Sequence, residues 1–142
     1  MAEFNIGQTF MDSQATYFDR ATLQYTKKPK FYIALSSAKY DNDLIVCFVM
    51  NTEKRMHKYN INCNKRAQKF IISPNTFSFI NDYTSIMLSQ PCFYQLKEMY
   101  ENRIKWLDQA SDILCKQIKN CIDLNEISPQ FGNLIKKCFK YL

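Results

Sequence analysis

Two apolar runs of strand length lie close together in residues 27–52 and constrain the fold more than any other part of the chain. Residues 44–50 read LIVCFVM, a continuous apolar run that is typical of a strand buried on both faces. Residues 31–36 read FYIALS and follow Pro29, a residue type that is excluded from central strands. The turn-forming sequence Asp41-Asn42-Asp43 separates the two runs. We therefore expect two neighbouring strands, and antiparallel pairing would bring their polar ends close together.

Three further short runs favour strands. Residues 69–73 (KFIIS) are mostly apolar, residues 76–80 (TFSFI) alternate polar with apolar side chains, and residues 83–88 (YTSIML) are rich in strand formers. Short strands separated by turns bury their apolar faces most simply in a curled sheet. The chain after residue 27 therefore predicts about five strands in a small curled antiparallel sheet or barrel.

The apolar pattern changes to a helical spacing after Pro91, a residue that suits the entry to a helix. Residues 94–122 predict a long helix, with Trp106 beside its main apolar stripe. A final helix is predicted by Ser128 as N-cap and Pro129 at the first helical position. Residues 13–23 fit either a short helix capped by Ser13 or a partly ordered arm. Strands followed by helices indicate an α+β fold.

The length of 142 residues favours a single domain with a sizeable core. We expect it to span residues 1–142, with a β-barrel part at 27–90 and a helical part at 91–142. Only Gly7 and Gly132 are glycines, so the glycine-rich loops of dinucleotide-binding and Walker-type sites are excluded.

The formal net charge of +6 makes an anionic partner plausible, such as RNA, DNA, an acidic protein or an anionic surface. No apolar stretch approaches the roughly 20 residues that a membrane-spanning helix needs, so we expect no membrane. Basic residues concentrate in positions 53–69, which fit either a solvated face or an anion-binding strip. They are Lys54, Arg55, Lys58, Lys65, Arg66 and Lys69.

Cysteine usage argues against a zinc site. The six cysteines form no CxxC pair, and His57 is the only histidine. Because the N-terminus lacks the pattern of a signal peptide, we expect reduced, mostly buried thiols and a cytoplasmic protein. We expect neither a metal nor another cofactor.

Most residues that carry familiar catalytic chemistry have a simpler explanation here. His57 lies within the basic stretch, where it is more typical of an exposed residue than of a catalytic base. Asp41, Asp43 and Asp82 are accounted for by turns. A metal-free site of Arg, Lys and hydroxyl groups remains, and such groups can act on RNA because the 2′-hydroxyl supplies an internal nucleophile.

The order of KPKFYIALS, LIVCFVMNT, KFII and YTSIM over about residues 27–90 resembles the MazF/PemK-like toxins. This resemblance implies an SH3-like barrel, metal-independent cleavage of single-stranded RNA, a homodimer, and inhibition by an antitoxin protein. Thr52 would take the hydroxyl position of that family, and Lys28 or Lys30 the position where the family usually has an Arg-Pro pair. Lys in place of Arg is a departure, because an ammonium group cannot bind a phosphate bidentately.

We therefore expect Thr52, Arg55 and Lys30 to be catalytic. The predicted substrate-binding residues are Lys28, Lys54, Lys58, Lys65 and Arg66. One alternative is a non-catalytic basic barrel that binds nucleic acid or an acidic protein segment. Another is an interaction protein whose long helix binds a partner through Trp106.

Overall fold

One seven-stranded antiparallel sheet forms the centre of the computed structural model, which describes residues 3–38 and 44–139. Its strands are β1 (Gln8–Asp19), β2 (Gln24–Ala34), β3 (Leu44–Thr52), β4 (Asn62–Asn64), β5 (Lys69–Ile72), β6 (Thr84–Gln95) and β7 (Ile104–Gln109). Two helices follow, α1 (Asp112–Cys121) and α2 (Pro129–Cys138). The predicted α+β class is confirmed.

The sheet is open, which corrects the expectation of a five-stranded SH3-like barrel. The strand order is β4-β5-β6-β3-β2-β1-β7, so β4 and β7 are the edges of the described sheet. β7 pairs with β1 from Gln8↔Gln109 to Asp12↔Ile104. These two strands extend the sheet beyond β2, and a pairing between such distant segments leaves no local signal in the sequence.

β3 lies at the middle of the sheet and is buried on both faces, as its apolar run predicted. Alternate side chains of a strand point to opposite faces, so β3 contributes to two cores. Val46, Phe48 and Met50 join the core that includes Ile118 of α1 and Ile135 of α2. Ile45, Cys47 and Val49 join a second core with Phe4, Tyr94 and Met99.

The long helix predicted for residues 94–122 is wrong. A 3₁₀ turn at Leu96–Tyr100 follows β6, and β7 then places Trp106 in the sheet, where its indole Nε1 donates to the Met99 carbonyl at 2.8 Å. Helix α1 begins only at Asp112, with Ser111 as N-cap. Tertiary pairing with β1 outweighs the helical spacing of the apolar residues.

Residues 13–23 form neither a helix nor an arm, because β1 and β2 make a long hairpin there. Residues 76–80 form turns instead of a strand, and their backbone is held by Asp108, which accepts from Ser78 N at 2.6 Å. Pro91 lies inside β6, directly beside an irregularity in the pairing with β3. A bulge is a position where a strand tolerates proline.

Several other predicted strands and one predicted helix are confirmed. Parts of β2 and β6, together with β3 and β5, coincide with predicted strands. Helix α2 starts at Pro129 after Ser128, although the Ser128 side chain makes no capping hydrogen bond. The turn expected at residues 41–43 lies outside the described residues. No helix in the described ranges is long and apolar enough to cross a membrane.

Two of the six cysteines form a disulfide, which corrects the expectation that all are reduced. Cys63 of β4 is bonded to Cys121 at the end of α1. Cys47 and Cys115 are buried thiols, and Cys92 and Cys138 are half-buried thiols.

Candidate functional site

Two ammonium groups converge on one aromatic ring in the β1–β2 hairpin. Lys28 Nζ lies 4.4 Å and Lys30 Nζ 5.4 Å from the ring centroid of Tyr17. Lys28 and Lys30 are two residues apart on β2, so they project from the same face of the sheet. Tyr17 pairs with Thr26 on the same hairpin, which holds the ring beside both lysines. The negative face of the ring stabilises the two cations.

The lysine pair has no acidic partner among the residues that the structure describes. The only hydrogen bond of Lys30 there runs from Nζ to Asn51 Oδ1 at 3.4 Å, and no ion pair involves Lys28. Burial, and next the charge of Lys28, lower the pKa of Lys30 below its usual value. An anion placed between the two ammonium groups would relieve this repulsion.

Exposed aromatic side chains continue along the same hairpin. Phe18 is 46% exposed and Tyr25 is 75% exposed, and their rings meet edge to face at 5.3 Å. Phe18 directly follows Tyr17 on β1 and pairs with Tyr25, so these two rings project from the face of the hairpin opposite to Tyr17 and the lysines. The hairpin surface is defined here as Tyr17, Lys28 and Lys30, which project from one face of the hairpin.

A surface pocket of about 160 Å³ lies on the opposite face of the sheet, at the end of β3. Phe31 and Phe79 are stacked at 5.2 Å on its apolar side, and Phe77 stacks behind Phe79 at 5.7 Å. We call this the Phe31 pocket. Its lining consists of Phe31, Met50, Thr52, Phe79, Ile80, Asn81, Asp82 and Thr84.

A buried carboxylate follows directly after β3. Glu53 has only 6% of its side chain exposed and forms an ion pair with Lys69 of β5 at 2.9 Å. The same Oε2 accepts from Ser85 Oγ at 2.5 Å, and Oε1 accepts from the Arg55 amide at 3.0 Å. Burial by itself would raise the pKa of Glu53, but these hydrogen bonds from Ser85, Lys69 and Arg55 outweigh it and lower the pKa. The carboxylate is thus fully used in holding β3, β5 and β6 together.

Asp12 is a second buried carboxylate, on β1, with 1% of its side chain exposed. It accepts from Arg103 Nη1 at 2.7 Å and from Tyr94 Oη at 2.9 Å through Oδ2, and from the Gln14 amide through Oδ1. Burial raises the pKa of Tyr94, so its hydroxyl stays protonated as a donor. This network joins β1 to β6 and to the segment before β7, and its groups satisfy one another.

The predicted catalytic residues lie apart from each other. Thr52 is exposed at the end of β3 and faces the Phe31 pocket, on the other side of the sheet from Lys30. Arg55 is exposed just before a 3₁₀ turn at Met56–Lys58. No contact between side chains joins either residue to Lys28 or Lys30 in the described chain.

The remaining predicted binding residues divide between two places. Lys54 and Lys58 are exposed in the segment after β3. Lys65 and Arg66 are exposed in the turn between β4 and β5, where Lys65 Nζ donates to the Asn120 carbonyl of α1 at 3.4 Å. Only Lys28 and Lys30 belong to the hairpin surface.

Sequence reasoning missed Tyr17, Phe31 and Phe79 as site residues. The hairpin did leave a signal in the sequence. Asp19 is a turn-forming residue type, and its Oδ1 accepts from the Ala21 amide in the structure. Aromatic and threonine residues, which favour strands, flank this turn on both sides. Leu23 adopts a φ of 58° at the hairpin end, where glycine would have been the usual sign of a tight turn. The Phe31 pocket left no such signal, since Phe79 comes from a distant loop.

No group of three His, Cys, Asp or Glu side chains within residues 3–38 and 44–139 is placed to hold a metal ion. Comparison with protein-family models and with curated proteins found no match for this chain.

Proposed function

We propose that this protein binds single-stranded RNA on the hairpin surface and cleaves it without a metal ion. The observation that carries the proposal is the pair of ammonium groups of Lys28 and Lys30 over Tyr17, which form no ion pair with a carboxylate of residues 3–38 and 44–139. A phosphate of the RNA backbone would supply the missing negative charge. The resemblance to MazF/PemK-like toxins points to the same substrate.

The two lysines can divide the proton transfers of RNA cleavage between them. Burial, and next the charge of Lys28, lower the pKa of Lys30, and we assign the Lys30 amine as the acceptor of the 2′-hydroxyl proton as that oxygen attacks phosphorus. The Lys28 ammonium would stabilise the phosphoryl charge and donate a proton to the 5′-oxygen when the P–O5′ bond breaks. The products are a 2′,3′-cyclic phosphate and a 5′-hydroxyl.

The test is to incubate the protein with a long single-stranded RNA in EDTA, and to measure binding as a function of salt. Replacing Lys28 or Lys30 with Ala should weaken binding and reduce the slope of log K against log salt by about one, as expected for each lost phosphate contact. Lys30→Ala should also abolish cleavage.

Lys116→Ala is the matched control, because Lys116 is equally charged and is exposed on α1, away from the hairpin. Binding that is insensitive to salt, or equally affected by all three variants, would contradict the proposal. Thr52→Ala and Arg55→Ala test the catalytic roles expected for those residues.

A non-catalytic RNA-binding protein is the second candidate, and the separation of Thr52 and Arg55 from the lysine pair favours it. Salt-dependent binding without any cleavage in EDTA would support this alternative. An acidic protein segment could occupy the same hairpin surface, and an antitoxin would be such a partner.

A homodimer and a cytoplasmic location belong to the same proposal. The disulfide between Cys63 and Cys121 weighs against the cytoplasmic location, since disulfides are rare in reducing compartments.

A further inference from the structure

The rim of the Phe31 pocket carries polar groups that have no partner in the described part of the chain. The side chains of Thr52, Asn81 and Asp82 line the pocket, are exposed, and make no hydrogen bond or ion pair there. Thr84, by contrast, donates to the Asp82 carbonyl at 3.0 Å. These groups comprise a hydroxyl, an amide and a carboxylate, all in the lining of one pocket.

The apolar lining of the same pocket includes two phenylalanine rings that stack on each other. Phe31 is 37% exposed and lies at 5.2 Å and an interplanar angle of 18° to Phe79. At about 160 Å³ the pocket is well below the roughly 300 Å³ at which sites for drug-sized molecules begin. The exposed part of Phe31, the small volume and the polar lining side chains suit one planar heterocycle.

We propose that the Phe31 pocket binds a single nucleobase, and that guanine is the preferred base. The Watson–Crick edge of guanine presents two adjacent donors, N1–H and N2–H, and these match the two oxygens of the Asp82 carboxylate. Uracil has one donor between two carbonyl acceptors, which the carboxylate repels. The Asn81 amide and the Thr52 hydroxyl are available for guanine O6 and N7.

This inference rests on the proposed function for its ligand class and adds base specificity to it. Phe31 directly follows Lys30 on β2, so the pocket and the lysine pair lie on opposite faces at adjacent positions of one strand. Because β3 pairs with β2 only from Phe31 to Ala34 in the described chain, an RNA strand held at Lys28 and Lys30 would pass around the open edge of β2 to place a neighbouring base in the pocket.

The experiment uses the four nucleosides without phosphate, so that the lysine pair does not contribute. Guanosine, adenosine, cytidine and uridine are titrated into ¹⁵N-labelled protein. Guanosine should shift the amide resonances of Phe79, Asn81 and Asp82 and bind about tenfold more tightly than uridine, which is the low end of the discrimination by a bidentate contact.

Two variants make the test specific. Asp82→Asn should reduce the guanosine preference to about twofold or less, because an amide offers only one acceptor oxygen. Asp112→Asn, with the same change of charge at an exposed site on α1, should leave the preference unchanged. Phe31→Leu should weaken the binding of all four nucleosides, because it removes the aromatic ring of the pocket.

Equal binding of the four nucleosides, shifts confined to other residues, or an unchanged preference in Asp82→Asn would overturn the inference. If Lys28→Ala loses RNA binding but the protein shows no preference among the nucleosides, the guanine site is overturned and the proposed function stands. Conversely, an Asp82-dependent preference for guanosine in a protein that does not bind RNA would overturn the proposed function and support the pocket.

Discussion

At the scale of single residues, the buried pair of Glu53 and Lys69 shows how one ion pair joins three strands. Glu53 also receives hydrogen bonds from Ser85 on β6 and from the Arg55 amide in the segment beyond β3. Removing one partner of such a buried pair leaves the other charge without compensation. The exposed basic segment after β3 is therefore anchored at its first residue.

Glu53→Gln should destabilise the protein by about 2–3 kcal/mol near neutral pH, less than the ~3–5 kcal/mol for a fully buried pair, since 21% of the Lys69 side chain is exposed. The pKa of Glu53 is lowered from 4.5 in the fold, so its contribution is present above that value and is lost as the pH falls through the folded pKa. We therefore expect urea unfolding at several pH values to show that acid lowers the free energy of unfolding more steeply in the wild type than in Glu53→Gln.

Glu126→Gln, at an exposed position, should keep the pH profile of the wild type. An identical acid loss in the wild type and in Glu53→Gln would show that the lowered pKa does not contribute to stability. The pKa of Lys69 is raised in the fold. The stabilisation that Lys69 contributes is therefore fully present below pH 10.5 and is lost as the pH rises through its folded pKa.

At the scale of elements, the short β4–β5 hairpin depends on α1. Its strand β4 has three residues and pairs only with β5. Besides the disulfide, Gln68 joins it to the helix, since its Nε2 donates to the Cys121 carbonyl at 3.0 Å and its Oε1 accepts from the Asp123 amide at 2.8 Å. The disulfide closes a loop across a sequence separation of 58 residues.

Cys63→Ser should lower the free energy of unfolding by about 2–4 kcal/mol, because the unfolded chain regains the freedom that the closed loop removes. Amide hydrogen exchange in β4 should accelerate more than exchange in β3. A reductant should destabilise the wild type and leave Cys63→Ser unchanged. Free thiols at both positions in the non-reduced protein, measured by alkylation and mass spectrometry, would contradict this prediction.

At the scale of the whole molecule, β3 makes the two cores depend on each other. Phe48 packs on the side of the helices, while Trp106, the only tryptophan, packs against the second core. Phe48→Leu should cost about 1–2 kcal/mol. It should also lower the unfolding midpoint equally for Trp106 fluorescence and for far-UV circular dichroism, because both cores share one strand.

A shift of the circular dichroism midpoint with an unchanged Trp106 midpoint would show that the two cores unfold separately. The matched substitution on the other face of β3, Ile45→Val, should likewise shift both signals together.

The sequence predicted the parts of the fold that local patterns specify. The apolar run of β3 and the Ser-Pro start of α2 were recognised because burial and helix entry leave a signal within a few residues. The long helix predicted for residues 94–122 was wrong. The spacing of the apolar residues in 94–109 fits both a helix and a strand at the edge of a sheet, so it did not distinguish the two. Among the site residues, Lys28 and Lys30 were predicted, whereas Tyr17 and the Phe31 pocket were not.

By itself, the sequence determined the α+β composition, the buried central strand and the basic character that favours an anionic partner, since these follow from residue types and short periods. Only the tertiary structure decided that the sheet is open and seven-stranded, that Thr52 and Lys30 face opposite sides, and that Asp82 meets Phe31 across a pocket. The reason is that pairing between distant strands sets the register, and a shift of one residue moves every side chain to the other face.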